Sequence, residues 1–279
     1  MLGPAFALGS SLSYGTADFI GGTASRRVGS LPYVSCMQLI NVVIAAGWTA
    51  VSGEPVPGVV AIAAAAGAGI AITIAVWAFF EAMVIGTMSI VAPVSASGVA
   101  IPVAVGLFHR ERPSAIQVVG LVVVVVGVVL VSLTTARRVS TGSGAGLGLA
   151  LLAAVTSGLF LWLMAPASRG GVAWSVFIAR AIPALLLALA VAYRRPSLSG
   201  FSEPGNVVLA VVAAILAFGG LSLYALATLH GELSIVSVLA SLAPVVTVVL
   251  AYWFIGERLL GVQRVGVIAV LIGTAALSA

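Results

Sequence analysis

Polar positions are so sparse along this chain that they act as punctuation. Arginines, prolines and glycine clusters cut the sequence into ten apolar blocks, at about 2–24, 32–52, 57–80, 87–108, 113–134, 145–167, 172–193, 206–229, 233–255 and 260–278. About 30 Å of hydrocarbon takes roughly 20 helical residues at 1.5 Å each, so each block has the length of a transmembrane helix. A transmembrane strand would alternate polar and apolar residues over about ten positions, whereas Leu121 to Val131 is an almost unbroken aliphatic run. A helix bonds every backbone amide within its own segment, which lipid demands of Val and Ile as of any residue. The first block has no basic residues ahead of it and continues into Asp18 and other polar residues, so it is expected to be a retained helix rather than a cleaved signal.

The pattern repeats. Gly86, Ser89, Ile90 and Val91 recur 145 residues later as Gly231, Ser234, Ile235 and Val236. After a one-residue slip, Glu111, Arg112, Gln117, Val119, Gly120 and Gly127 recur at a spacing of 146 as Glu257, Arg258, Gln263, Val265, Gly266 and Gly273. Glu-Arg and Gln in step with Gly are rare in so apolar a chain, and their recurrence marks a duplication. Each copy carries five blocks, an odd number, so the second enters the bilayer upside down. The expected fold is therefore an all-α integral membrane protein of ten transmembrane helices in two inverted five-helix repeats, residues 1–134 and 145–279, joined by a linker at 135–144. In such an arrangement the substrate site lies near the midplane, between the halves.

Composition agrees with lipid as the main solvent: 62% of residues are hydrophobic, 7% are charged and the mean hydropathy is +1.27. An ordinary soluble domain is excluded. The net charge of +5 comes entirely from Arg, with no Lys, and the arginines stand in ones and twos between apolar blocks. They read as membrane-flanking charges, so no nucleic acid is expected as a partner. Arg26, Arg27, Arg137, Arg138, Arg194, Arg195 and Arg258 follow odd-numbered blocks, which by the positive-inside rule puts those loops in the cytoplasm and both termini outside. The single cysteine, Cys36, reads as a packing residue.

A few polar groups fall inside blocks. Asp18 lies about eight residues before Arg26, roughly 12 Å of helix from the interface. A charge at a helix centre costs about 2.5 to 3.5 kcal/mol, so the acid is either a proton-coupling or cation-binding carboxylate, or a helix-end acid reaching toward Arg26. Arg180 sits about eight residues into the seventh block. There it either holds an anionic group of a substrate, or forms a structural pair or snorkels. Gln38 and Asn41, three apart, share one face of the second block as cavity ligands or interhelical glue. Tyr14, Trp77, Trp162 and Tyr224 are candidates for an amphipathic pocket wall, with an aromatic belt as the alternative for the two tryptophans. Glu81, whose counterpart is Leu226, and Glu111 and Glu257 beside arginines read as helix-end or turn charges. Pro93, Pro102 and Pro244 inside blocks are candidate hinges, or static packing features. Gly142, Gly144, Gly146 and Gly148 follow no strand and read as linker and packing rather than a phosphate loop. No hydrolase, metalloprotease or Walker motif occurs, and His109 and His230 lie at turns, so no enzyme activity, metal or cofactor is expected.

The Ser89-Ile90-Val91-Ala92-Pro93 and Ser234-Ile235-Val236 helix starts, followed in order by the Glu111-Arg112 and Glu257-Arg258 turns and Gly-rich fifth blocks, resemble the EamA repeat of the ten-helix branch of the drug/metabolite transporter superfamily. The resemblance covers essentially the whole chain. It implies a secondary transporter, often an exporter, of a small metabolite, amino acid or amphipathic solute, with a central cavity lined by the first four helices of each repeat. It often places the termini in the cytoplasm, opposite to the arginine count. It also implies a basic residue early in the second helix of a repeat; Arg180 fits, while the first half has Gln38, so a symmetrical anion clamp is not expected. The partners this implies are a small-molecule solute, the lipid bilayer of a bacterial inner membrane and a coupling proton, and a homodimer is compatible with it. A non-transporting membrane protein, such as a lipid-binding or assembly factor, is the competing expectation.

Overall fold

The computed structural model describes residues 2–85, 94–95, 97–109, 114–132, 144–254 and 261–278. Outside them lie the Ser89-Ile90-Val91 motif, Pro93, both Glu-Arg turns and residues 133–143 of the linker, Gly142 included. The described residues are helical, and no strand occurs among them. The helices are α1 (Leu2–Val28), α2 (Ser30–Ser52), α3 (Val59–Ile85), α4 (Ala100–Phe108, entered through a 3-10 turn at Ser97–Val99), α5 (Ala115–Ser132) and α6 (Gly144–Ser168). They continue as α7 (Val172–Arg194), α8 (Pro204–His230), α9 (Leu233–Ala240), α10 (Ala243–Phe254) and α11 (Gly261–Ser278).

Among the described residues, six stretches are long and apolar enough to cross a membrane, lying in α2, α3, α6, α7, α8 and the combined run Leu233–Phe254. The apolar helices of α4, α5 and α11 are shorter. α1 has 27 residues, but Ser10, Ser11, Ser13, Tyr14, Thr16 and Asp18 dilute its apolar character, and it is not among the six. It also runs on through Arg27 to Val28, past the expected end near residue 24.

Small residues set the packing. Ala17 and Ala24 of α1 meet Ala210, Ala213 and Ala217 of α8, all buried. Between α3 and α6, Ala64 and Ala65 meet Ala167. Such side chains let helix backbones approach closely, and dispersion then supplies the attraction that water would supply elsewhere.

The packing pattern maps onto itself when each helix is exchanged for its counterpart in the other half. α1 packs on α8 as α6 packs on α3; α2 on α8 as α7 on α3; α5 packs on α11, and α2 on α7. The correspondence extends to single atoms. A Cβ on Gly127 would lie 2.9 Å from the Gly266 carbonyl and 2.8 Å from Val270, while one on Gly273 would lie 2.9 Å from the Gly120 carbonyl and 2.6 Å from Val124. Likewise Gly15 abuts the Ala243 carbonyl and Val246, and Gly158 abuts the Gly98 carbonyl and Ile101. α2 and α7 correspond at a spacing of 142 from end to end. Both start after a glycine of positive φ, Gly29 (95°) and Gly171 (131°), and both stop on a left-handed residue, Gly53 (66°) and Arg195 (44°).

The ninth block is broken. α9 ends at Ala240, Ser241 and Leu242 make a turn, and Pro244 is the second residue of α10, where its missing amide costs nothing. The break faces α1: the Thr247 hydroxyl donates to the Gly15 carbonyl at 2.9 Å. In the other half, Pro102 is buried in the first turn of α4, just after the 3-10 turn.

A candidate anion seat on the axis between the halves

A two-fold relation brings like positions together where a helix meets its own counterpart. α2 and α7 make such a contact, and at their spacing of 142 the counterpart of Gln38 is Arg180. The two side chains touch: Arg180 Nη1 donates to Gln38 Oε1 at 3.5 Å. Arginine at both positions would put two guanidinium charges face to face, whereas glutamine supplies an acceptor oxygen.

Arg180 is buried, 8% exposed. Its Nη2 donates to the Tyr14 hydroxyl at 2.7 Å and to the Ala217 carbonyl at 2.7 Å, and the guanidinium carbon lies 5.7 Å from the Tyr14 ring centroid. None of these partners is a carboxylate, and Nε has no hydrogen-bond partner. A guanidinium keeps its charge at any biological pH, and its burial without a hydrogen-bonded counter-charge costs free energy that neutral partners only partly return. Neutral acceptors and the Tyr14 π-face offset part of that through charge-assisted bonds and a cation–π contact. The remainder is a standing attraction for an anion.

Tyr14 reaches Nη2 because nothing stands between α1 and α8 at that level. A Cβ on Gly220 would lie 2.8 Å from Tyr14 Cδ2, and Ser10 one turn earlier donates to the Gly220 carbonyl at 2.7 Å. Asp18 is one turn beyond Tyr14 on the same face of α1. It is exposed, and the Arg180 charge acts on it. Asn41, one turn beyond Gln38, is fully buried; its Nδ2 donates to the Met37 carbonyl at 2.9 Å, and its Oδ1 has no partner.

Tyr14, Asp18, Gln38 and Arg180 are thus gathered around one place, with Asn41 one turn along α2. The remaining pocket candidates make contacts of their own. Tyr224 is a strut, 1% exposed, donating to the Leu161 carbonyl at 2.7 Å and paired with the Ser237 hydroxyl at 2.9 Å, so that it ties α8 to α6 and α9. Trp77 is 57% exposed on α3, Trp162 is half-buried on α6, and Glu81 is exposed at the end of α3. Three participants escape sequence reasoning. The Ala217 carbonyl and the Gly220 surface are backbone, invisible in a pattern of side chains. Glu54 lies in a loop between blocks; its Oε2 accepts from the Ala173 and Trp174 amides at 3.0 and 3.5 Å and so caps the helix that carries Arg180.

A cavity of about 250 Å³ is lined by Ile72, Ala75, Val76, Phe79, Ser95, Ala153 and Ser157. It occupies, in the other half, the position of the Tyr14–Gly220 contact: at the spacing of α3 and α8, Ala75 corresponds to Gly220 and Ile72 to Ala217, while Ser157 corresponds to Tyr14 as Gly158 does to Gly15.

The same fold occurs in a solved structure titled "Crystal structure of protein", which superposes with a TM-score of 0.78 at 15% identity over 98% of this chain and 95% of that one. No curated protein matches the chain. The model of the EamA-like transporter family matches twice, over residues 1–133 and 144–279, so the chain belongs to that family and is an integral, multi-pass membrane protein.

Proposed function

We propose that this protein is a secondary active transporter of a small organic anion, moving it by alternating access between two inverted five-helix halves, ten spans in all. The family supplies the transporter class. The observation that carries the substrate reading is Arg180, a buried guanidinium whose partners are all neutral and whose Nε is unused. Helix packing that maps onto itself supports two equivalent halves, and the break between α9 and α10 beside α1 gives a place for one half to bend against the other. Export across a bacterial inner membrane is the direction and place that the family resemblance favours, and proton and anion leaving together would then be driven by an outward anion gradient rather than by the inward proton gradient.

Asp18 is the coupling carboxylate in this reading. Ionised, it offsets part of the Arg180 charge; protonated, it leaves that charge to attract the substrate. Proton and anion therefore favour one another's binding by linkage.

The test is flux in proteoliposomes. Purified protein is expected to move organic carboxylates down an imposed proton gradient, and Arg180→Gln to insert normally while losing at least about tenfold in rate, the share of one charge-assisted bond pair. Flux at the wild-type rate in Arg180→Gln removes the anion seat. No flux across a broad panel of carboxylates favours a non-transporting membrane protein.

A further inference from the structure

Resting on the reading of Arg180 as an anion seat, we infer that the Tyr14 hydroxyl and a substrate carboxylate exchange on Arg180 Nη2, which makes Tyr14 the residue that couples substrate binding to the α1–α8 contact. A carboxylate binds a guanidinium best through two parallel N–H bonds along one edge. Nε and Nη2 share such an edge, and Nε is unused. Nη2 carries two partners, Tyr14 and the Ala217 carbonyl. The Ala217 carbonyl is fixed in the backbone of α8, whereas the Tyr14 hydroxyl sits at the end of a side chain with two rotatable bonds. Tyr14 is the partner that can leave, and its oxygen marks where a carboxylate oxygen goes.

The other half indicates the room involved. With Ser157 where this half has Tyr14, and Ala75 where it has Gly220, a cavity of about 250 Å³ lies at the equivalent position. When Tyr14 moves off Gly220, α1 loses its close seat on α8, so the event at Nη2 is also an event between helices from opposite halves.

The charge inventory fixes the substrate class as a monocarboxylate with an apolar body. Among the arginines whose side chains are described, Arg27, Arg169, Arg194, Arg195 and Arg264 are exposed and Arg180 is buried, and a dianionic phosphate would stay half-compensated by Arg180 alone. The cavity walls in the equivalent place are aliphatic and aromatic with two hydroxyls.

Equilibrium binding of phenylacetate to the full chain in lipid nanodiscs tests this, with phenylacetamide as the neutral isostere and phenyl phosphate as the dianion. Phenylacetate is expected to bind, the other two to bind at least about tenfold more weakly, and Arg180→Gln to abolish phenylacetate binding. Tyr14→Phe, which keeps the ring on Gly220 and removes only the competing hydroxyl, is expected to tighten phenylacetate roughly tenfold. Gly220→Ala, which pushes the ring away from α8, is expected to act in the same direction and decides the matter if Tyr14→Phe does not fold. If Arg180→Gln abolishes binding but Tyr14→Phe leaves it unchanged or weaker, the exchange is wrong and the anion seat stands. If phenyl phosphate binds as tightly as phenylacetate, the monocarboxylate class is wrong. If phenylacetate does not bind, or binds equally to Arg180→Gln, the seat and the exchange both fall.

Discussion

At the scale of single residues, Arg180 brings a permanent positive charge and Asp18 a titratable negative one that feels it, on helices from different halves. That pairing makes a definite pH signature. In the wild type, raising the pH ionises Asp18 and sets a negative charge against the incoming anion, so anion binding and flux should weaken as the medium becomes alkaline. Asp18→Asn has nothing to ionise and should give a flat profile with flux at high pH no lower than at low pH. A profile of wild-type steepness in Asp18→Asn, measured as carboxylate uptake into proteoliposomes over a pH series, would remove Asp18 from the coupling step. The candidate residues were legible because a charge, an amide or a phenol inside an apolar block is conspicuous: Tyr14, Asp18, Gln38, Asn41 and Arg180 stand out from the serines and threonines of their segments. Their neighbours were not. Whether Trp77 faces the inside or the outside of α3 depends on how that helix is rotated, and α3 is apolar on every side, so periodicity carries no signal. Tyr224 reads from the sequence as a pocket tyrosine, and only the positions of the Leu161 carbonyl and the Ser237 hydroxyl show it bonded into the frame.

At the scale of elements, block positions follow from composition, while their ends and interruptions follow from geometry. α1 outruns its apolar block by four residues because a helix does not need to stop where lipid stops; Arg27 simply rides on its last turn. The break at Ser241–Leu242 carries no glycine, and only Pro244, two residues on, hints at it. α7 shows how a loop residue positions the site. Its first amides are orphan donors, and the Glu54 carboxylate, arriving from the loop after α2, accepts from Ala173 and Trp174 while the Trp174 indole donates to the Glu54 carbonyl at 3.3 Å. This ties the start of α7 to the end of α2, the two helices that hold Arg180 and Gln38. Glu54→Ala is expected to cost about 0.5 to 2 kcal/mol, read as a lowered midpoint of thermal unfolding in detergent, with partial recovery in Glu54→Gln, whose amide oxygen keeps an acceptor. A midpoint unchanged by Glu54→Ala would show that water replaces the carboxylate at no cost.

At the scale of the whole molecule, the repeat seen as scattered Gly, Gln and Glu-Arg matches becomes a set of doubled contacts, Gly127 on Gly266 and Gly273 on Gly120, Gly15 on Ala243 and Gly158 on Gly98. Contacts doubled in this crossed manner mean that each half is packed against the other as the other is against it, the self-complementary relation of a two-fold axis. If each half has the five spans proposed, that axis lies in the membrane plane, and counterpart residues are expected to emerge on opposite faces. Gly53 and Arg195 are such counterparts. Both are exposed, and both sit at a left-handed helix stop just past α2 and α7. In a Cys36→Ser background, Gly53→Cys and Arg195→Cys are expected to react with a membrane-impermeant maleimide from opposite sides of sealed vesicles of known orientation. The arginine count further assigns Arg195→Cys to the cytoplasmic face and Gly53→Cys to the outer one. Labelling of both from the same side would leave the halves parallel, place Arg180 and Gln38 on no common axis, and undo the reason for their meeting.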